Sequence, residues 1–446
     1  MFKRTESHYY TLSSAQVILL GFICMILIGT FLLMLPIASA DHTSVDFLSA
    51  LFTATSASCV TGLIVRDTAT SWTLFGQIVI LIMIQIGGMG VVTMTTFLSR
   101  LSGKKIGLNA RITMQEAVSA RNLSSILNLT GFIVKGTLVI ELSGAVLLAP
   151  VFIRDFGFFK GIWYALFHSI SAFCNAGFDL MGVREPFSSM TGYSSDPLVI
   201  ITLCLLILLG GLGFVTWDDI RDNGIHFRKY SLQSKLILLS EVVLIVFPMI
   251  FFYFNETEGM PVQEKILVSL FHAISPRTAG FNTVDYGTFS GNGIAITIVL
   301  MLIGGAPGST AGGMKITTVV ILVISMVSLF QRKRDPAVLG KRITQDTVIS
   351  AGAVFTFDLL LFLSSSIFIS CVEKLPLMST MFECASAVAT VGLSLGLTPT
   401  LSAVSKVVLI MIMYLGRIGA MTMVYAAVSR KDDGNGRYPK ENIAVG

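Results

Sequence analysis

Four short segments of the chain end in a glycine that follows an apolar, hydroxyl-bearing run. They read FTATSASCVTGL (52–63), FHSISAFCNAGF (167–178), FHAISPRTAGF (271–281) and FECASAVATVGL (382–393). Their glycines, Gly62, Gly177, Gly280 and Gly392, recur at intervals of about a hundred residues, which signals internal repetition. The closing runs Val60-Thr61-Gly62, Asn175-Ala176-Gly177, Thr278-Ala279-Gly280 and Thr390-Val391-Gly392 offer small side chains and peptide carbonyls. Such groups do not perform nucleophilic or acid–base work. Backbone oxygens can, however, replace the hydration shell of a monovalent cation. Glycine tolerates positive φ, which lets successive carbonyls turn the same way. A short helix that directs its C-terminal end at the same place adds partial negative charge. The third copy is one residue shorter between its serine, Ser275, and Gly280 than the second is between Ser171 and Gly177, so the expected ring is pseudo-fourfold.

A second repeated feature follows each of these segments: QIGGMG (85–90), LGGLGF (209–214), IGGAPG (303–308) and LGRIG (415–419). Small residues within apolar helices allow close approach or bending, and this packing role suffices for Gly87 and Gly210. Two copies depart from it. The run Gly304, Gly305, Ala306, Pro307, Gly308, Ser309, Thr310, Ala311, Gly312, Gly313 cannot be a stable helix, because Gly costs ~1 and Pro ~3 kcal/mol relative to Ala in a helix interior. A break of this kind survives in a membrane where it lines a cavity. Arg417 stands where the other copies have Gly88, Gly211 and Gly305. An arginine near mid-span costs ~2.5 kcal/mol even on a lenient scale, so it requires a partner. The expectation is a gate in which the loop obstructs a path and Arg417 either pairs with loop carbonyls or repels cations. The alternative is an arginine that only ties helices together. Lys315 ends the loop and either snorkels toward the cytoplasm or pairs with a carboxylate. Glu141, Glu241 and Asp358 fall in apolar helices; structural pairing is favoured for them, with a coupling-ion site as the alternative.

The elements that position these groups follow from composition. Of 446 residues, 53% are hydrophobic and 13% charged, against about 25% charged in soluble domains. Eight spans are expected, at 14–36, 75–98, 126–152, 197–217, 231–254, 292–330, 346–370 and 403–428. The sixth is too long for one straight span and corresponds to two half-helices around the glycine loop. The segments before each glycine, such as 47–57 and 161–172, are too short to cross. The resulting fold class is an all-α integral membrane protein of four tandem helix–pore-loop–helix repeats in pseudo-fourfold arrangement, with eight transmembrane helices. Its expected divisions are 1–100, 101–222, 223–335 with the broken second helix, 336–430, and a cytoplasmic tail over 431–446. Most of the 31 Lys and Arg fall on one side of these spans, which places both termini and the basic loops in the cytoplasm. Arg277 falls on the opposite side. Ala38-Ser39-Ala40 resembles a signal cleavage site, but the apolar run 15–35 exceeds the roughly 7–15 residues of a signal core, so an uncleaved first helix is expected.

In combination, PRTAGFN (276–282), GGAPGSTAGGMK (304–315), LGRIG (415–419) and GKKIGL (103–108) resemble the Trk/Ktr/HKT superfamily of potassium transporters, over nearly the whole chain. The length and the RYP run (437–439) are similar to the membrane subunit of bacterial Ktr systems. That resemblance implies K+ uptake across a bacterial plasma membrane, with Na+ as a further activator or coupling ion. It implies a homodimer with one pore per protomer and a cytosolic ring of nucleotide-binding (RCK-type) regulatory subunits. It also assigns gating to the glycine loop and the arginine. In the superfamily a serine in place of the first filter glycine accompanies Na+ preference, so Gly62 favours K+; a Na+-selective or non-selective cation pathway of the same fold is the runner-up. Cys174 departs from the Asn that many members carry there.

Other classes lack their signatures. An enzyme would need clustered His, Cys or carboxylates, and His8, His42, His168, His226 and His272 do not supply them. His168 and His272 occupy equivalent places, taken by Thr53 and Glu383 in the other copies, and are expected to hydrogen-bond behind the filter. A transporter of organic solutes would show broken helices at corresponding positions in two halves, and only one broken helix is expected. The basic loops are a topology signal rather than a nucleic-acid surface. The six cysteines form no C-x-x-C, so neither a disulfide framework nor a zinc site is expected. No nucleotide-binding motif or cofactor site is expected in this chain.

Overall fold

The computed structural model describes residues 13–101, 111–115, 126–333, 335–420 and 422–423. GKKIGL, the RYP run and the tail over 431–446 lie outside the described residues.

Four long apolar helices, Ser14–Met34, Ile126–Phe156, Leu232–Asn255 and Gln345–Glu373, are each long enough to cross hydrocarbon unaided. They are apolar all round, and side chains such as Phe31, Val146 and Phe247 stay exposed on their outer faces, where lipid suits them. After each comes a shorter helix: Phe47–Ser58, Phe158–Phe173, Val262–Ile274 and Leu377–Val388. These four are buried toward their C-terminal ends and stop at the glycine-ended segments. A second helix then leaves each segment: Leu74–Met89, Pro197–Gly211, Gly291–Leu302 and Ala403–Ile418. Each of these starts on a side-chain cap, from Thr73, Asp196, Ser290 and Ser402 respectively. The cap satisfies amides that the first turn leaves unpaired.

The returning helices correct one expectation. The spans 75–98 and 197–217 are not straight, and the broken third helix is not alone. Leu74–Met89 turns by 96° into the next helical piece, and Pro197–Gly211 turns by 96° into Phe214–Asn223. The corners are Gly90 and Gly213, with φ of 86° and 85°. Gly419, with φ 84°, ends the fourth helix after Ile418. A helix cannot continue through positive φ, and glycine adopts that conformation without steric cost. The broken-helix criterion therefore no longer separates this chain from a solute transporter. In the third copy the break is a whole loop between Gly291–Leu302 and Ile316–Phe330. A small antiparallel pair, Ala337–Val338 with Lys341–Arg342, lies in the third basic loop and was not expected from an all-α pattern.

Candidate functional site

The four glycine-ended segments meet. A β-carbon added to Gly62 would collide with the Ala176 carbonyl and stand 3.0 Å from the Gly177 Cα. One on Gly177 would stand 2.9 Å from both the Ala279 oxygen and the Gly280 Cα. One on Gly280 would meet the Val391 oxygen and stand 3.2 Å from the Gly392 Cα, and one on Gly392 would meet the Thr61 oxygen and stand 3.0 Å from the Gly62 Cα. The contacts run in chain order from the first segment to the fourth and back to the first, which is a closed ring. Eleven of the twelve residues of the expected filter are buried, and the twelfth, Gly392, is half-buried.

The local backbone explains how the ring is held. Within each segment the first residue of the closing run is left-handed: Val60, Asn175, Thr278 and Thr390 have φ of 57°, 57°, 74° and 51°. Such φ costs of order 1–3 kcal/mol at a non-glycine residue, so the surroundings must impose it. Four equivalent serines do so. Ser56 and Ser386 accept from the amides of Gly62 and Gly392 at 3.0 Å. Ser171 donates to the Phe178 carbonyl at 2.7 Å, and Ser275 donates to that of Phe281. Their own carbonyls accept from Thr61, Ala176, Ala279 and Val391 at 2.7–2.9 Å. In the shorter third copy that bond spans four residues instead of five, and the ring still closes. The left-handed conformation of these four filter candidates was not anticipated from sequence, and Ser171 and Ser275 served there only to compare spacing, although a serine recurs five or six positions before every glycine.

A further layer stands behind the ring. The His168 Nδ1 donates to the Tyr164 carbonyl at 2.7 Å, and its Nε2 accepts from the Leu180 amide at 3.1 Å. His272 Nε2 lies 3.1 Å from the Thr283 hydroxyl. Glu383, at the equivalent place, accepts from Ser394, Leu395 and Thr398 at 2.6–2.9 Å. Each ties the strand leaving the ring back to its own short helix. Arg277 gains a partner that was not expected from sequence. It is not a free loop charge but a buried one, paired with Glu241 at 2.5 Å immediately before Thr278. The apolar surroundings would not hold either charge alone.

The broken loop and Arg417 are likewise brought together. The Gly304 and Thr310 amides donate to Met314 and Gly210, and the Gly305 and Gly308 carbonyls accept from Ile316 and Phe214. Ser309 Oγ donates to Ala306 at 2.6 Å, and Thr310 Oγ1 to the Phe173 carbonyl at 3.0 Å. A β-carbon on Gly312 would collide with Thr390, and one on Gly313 would stand 2.8 Å from the Ala389 Cα. The loop is therefore wedged between the second and fourth segments of the ring. Arg417 donates to the Thr310 carbonyl at 2.5 Å, to Gly88 at 3.2 Å and to Gly87. Of the two roles considered for Arg417, the contacts are those of carbonyl pairing. Lys315 donates to Ala311 at 2.7 Å rather than to a carboxylate. A cavity of about 560 Å³ is lined by Gly308, Ser309, Gly313, Lys315, Asp358 and Arg417, among others. Gly87 and Gly210 bear out the packing role: a β-carbon there would collide with the Ser58 and Phe173 carbonyls.

A family model described as TrkH, cation transport protein, matches residues 2–435. The chain belongs to the TrkH cation transport protein family. It is 39% identical over 446 residues to the potassium/sodium uptake protein NtpJ of Enterococcus hirae, covering 98% of each chain. It is 36% identical to the Ktr system potassium uptake protein B of Bacillus subtilis, covering 97% of this chain and 96% of that one. The crystal structure of the potassium transporter TrkH from Vibrio parahaemolyticus superposes with a TM-score of 0.74 at 19% identity, over 95% of this chain and 86% of that one, which shows a shared fold. This member of the TrkH family is a multi-pass membrane protein of a cation-transporting family, not of an enzyme family. The family match also replaces the broken-helix argument against a carrier of organic solutes.

Proposed function

We propose that the chain takes up K+ through the ring formed by Val60-Thr61-Gly62, Asn175-Ala176-Gly177, Thr278-Ala279-Gly280 and Thr390-Val391-Gly392. The observation that carries this reading is the closed sequence of contacts among the four glycines. A ring of carbonyl-bearing backbone, lined by small residues, suits a monovalent cation that sheds water. The NtpJ and Ktr relatives, named as potassium uptake proteins, support the same ion. In this reading the chain is four tandem repeats around a pseudo-fourfold axis, divided at 1–100, 101–222, 223–335 and 336–430, with eight membrane crossings and the basic loops in the cytoplasm.

The loop with Gly304, Gly305, Gly308, Ser309, Thr310, Gly312, Gly313 and Lys315 acts with Arg417 as the gate. Arg417 latches the loop through the Thr310 carbonyl, and the wedge between the second and fourth segments supports an obstructing role. The superfamily resemblance implies a homodimer in a bacterial plasma membrane, controlled by a cytosolic nucleotide-binding subunit ring, and the relatives named for Ktr systems support a chain that works within such a system. A second reading, a pathway that also carries Na+, is favoured by the sodium in the name of the NtpJ relative. Tracer competition in liposomes decides between them. Rubidium uptake suppressed by K+ and not by Na+ supports K+ selectivity, whereas equal suppression by both ions supports the second reading.

A further inference from the structure

The three carboxylates of the outer helices are not held alike. Glu141 accepts from Gln85 at 3.2 Å, and the Cys174 thiol lies 3.8 Å from its carboxylate. Glu241 pairs with Arg277 at 2.5 Å, with both side chains almost wholly buried. Asp358 makes no hydrogen bond or close ion pair among the described residues, and its charged neighbour, Lys315, acts on it from a greater distance. Cys174, Arg277 and Ala389 are the residues that immediately precede the filter runs in copies two, three and four. The fourth copy therefore has a methyl group where the third has a guanidinium. Beside that methyl group lies a cavity of about 260 Å³, lined by Val299, Leu302, Phe355, Asp358, Val388 and Ala389.

We propose that this cavity binds a small amphiphilic cation, an ammonium or guanidinium on a short apolar stem. Its charge pairs with Asp358, and its stem occupies the place that the Arg277 side chain takes in the third copy. The inference rests on the fourfold correspondence proposed above. The lining argues for this ligand class. Asp358 supplies the one charged group, and the side chains around it are almost entirely apolar. A bare Na+ or K+ would need several more oxygen ligands than this wall supplies. A neutral apolar molecule would add no direct partner to a carboxylate that otherwise has only the more distant charge of Lys315, and a carboxylate without a direct partner is costly in apolar surroundings. Arg277 with Glu241 is the internal example of the pairing that resolves both problems. The cationic group that faces Asp358 from the adjoining cavity is Lys315, and its Nζ is engaged by the Ala311 carbonyl at 2.7 Å.

The test uses the full chain in detergent, with n-butylguanidinium as probe and n-butylurea as its neutral isostere. Calorimetric titration and the thermal unfolding midpoint read binding without transport. Saturable binding of the guanidinium, with a raised midpoint, and none by the urea is expected. Asp358→Asn should weaken binding about tenfold or more. Ala389→Leu, which fills the cavity and keeps the carboxylate, should abolish it and carries the test if Asp358→Asn does not fold. Gly62→Ser, placed in the ring, should bind normally, so a failure of transport is distinguishable from a failure of this site. Absence of binding to the unaltered chain, equal binding of the urea, or undiminished binding by both variants overturns the proposal.

Discussion

The Arg417 guanidinium donates to the carbonyl of Thr310 at 2.5 Å, fixing the end of the fourth returning helix to the broken loop of the third. The same side chain holds the Gly87 and Gly88 carbonyls of the first. One cation thus joins three copies at the level where their helices break. An unpaired carbonyl or guanidinium there would carry the cost of a buried, unsatisfied polar group.

If this bond latches the gate, Arg417→Ala should raise rubidium uptake several-fold in liposomes, and shortening the loop between Gly304 and Gly313 should do the same. Arg417→Lys should fall between, because one ammonium cannot reach all three carbonyls with the guanidinium's planar fork. Unchanged uptake with a lowered unfolding temperature would instead assign Arg417 to tying helices.

Arg277 and Glu241 form the buried pair directly before the third segment of the ring. Arg277→Met should destabilise the protein by about 3–5 kcal/mol, because it strands the Glu241 charge. The double replacement Arg277→Met with Glu241→Leu should recover most of that loss. Thermal unfolding of the two variants in detergent checks it; a double variant no more stable than the single one would contradict the pairing.

Gly87 and Gly210 lie against the carbonyls that end the first and second short helices. Gly87→Ala or Gly210→Ala should each cost about 1–3 kcal/mol through overpacking. A variant with an unchanged unfolding midpoint would show that the helices separate freely at this point.

Asp179 lies between helices, just after the second segment of the ring, where its carboxylate accepts from the Met181 amide at 2.9 Å. Burial, reinforced by the nearby Asp67 and opposed by that amide, raises its pKa from 3.8 to about 7. The raised value means that the folded state holds this proton more tightly than the unfolded chain. The group's contribution is then most favourable below about pH 4 and declines as pH rises toward 7. Asp179→Asn should flatten that part of the stability profile, and an identical slope in variant and parent would contradict the assignment.

The repeat, the ring glycines and the broken loop were legible in the sequence because each leaves a compositional mark: a glycine at fixed phase, or Gly and Pro where a helix should run. The bends at Gly90 and Gly213 were not legible, because a single glycine in an apolar run has the same appearance whether it bends the helix or packs it closely. The serines at Ser56, Ser171, Ser275 and Ser386 sit among other hydroxyl residues, and only the fold shows which of them bind the loop. The Arg277–Glu241 pair joins a helix to the segment after the third short helix through tertiary packing, and charge counting alone gave Arg277 no partner.

The proposed path of the cation runs through the four-glycine ring. The most direct measurement is rubidium uptake into liposomes by the unaltered chain and by Gly62→Ser. At Gly62 φ is 88°, and a side chain there would collide with the Ala176 carbonyl. K+-sensitive uptake is expected for the unaltered chain, and lost uptake, or uptake equally sensitive to Na+, for the variant. Folded Gly62→Ser protein with unchanged rate and unchanged K+ preference would contradict it.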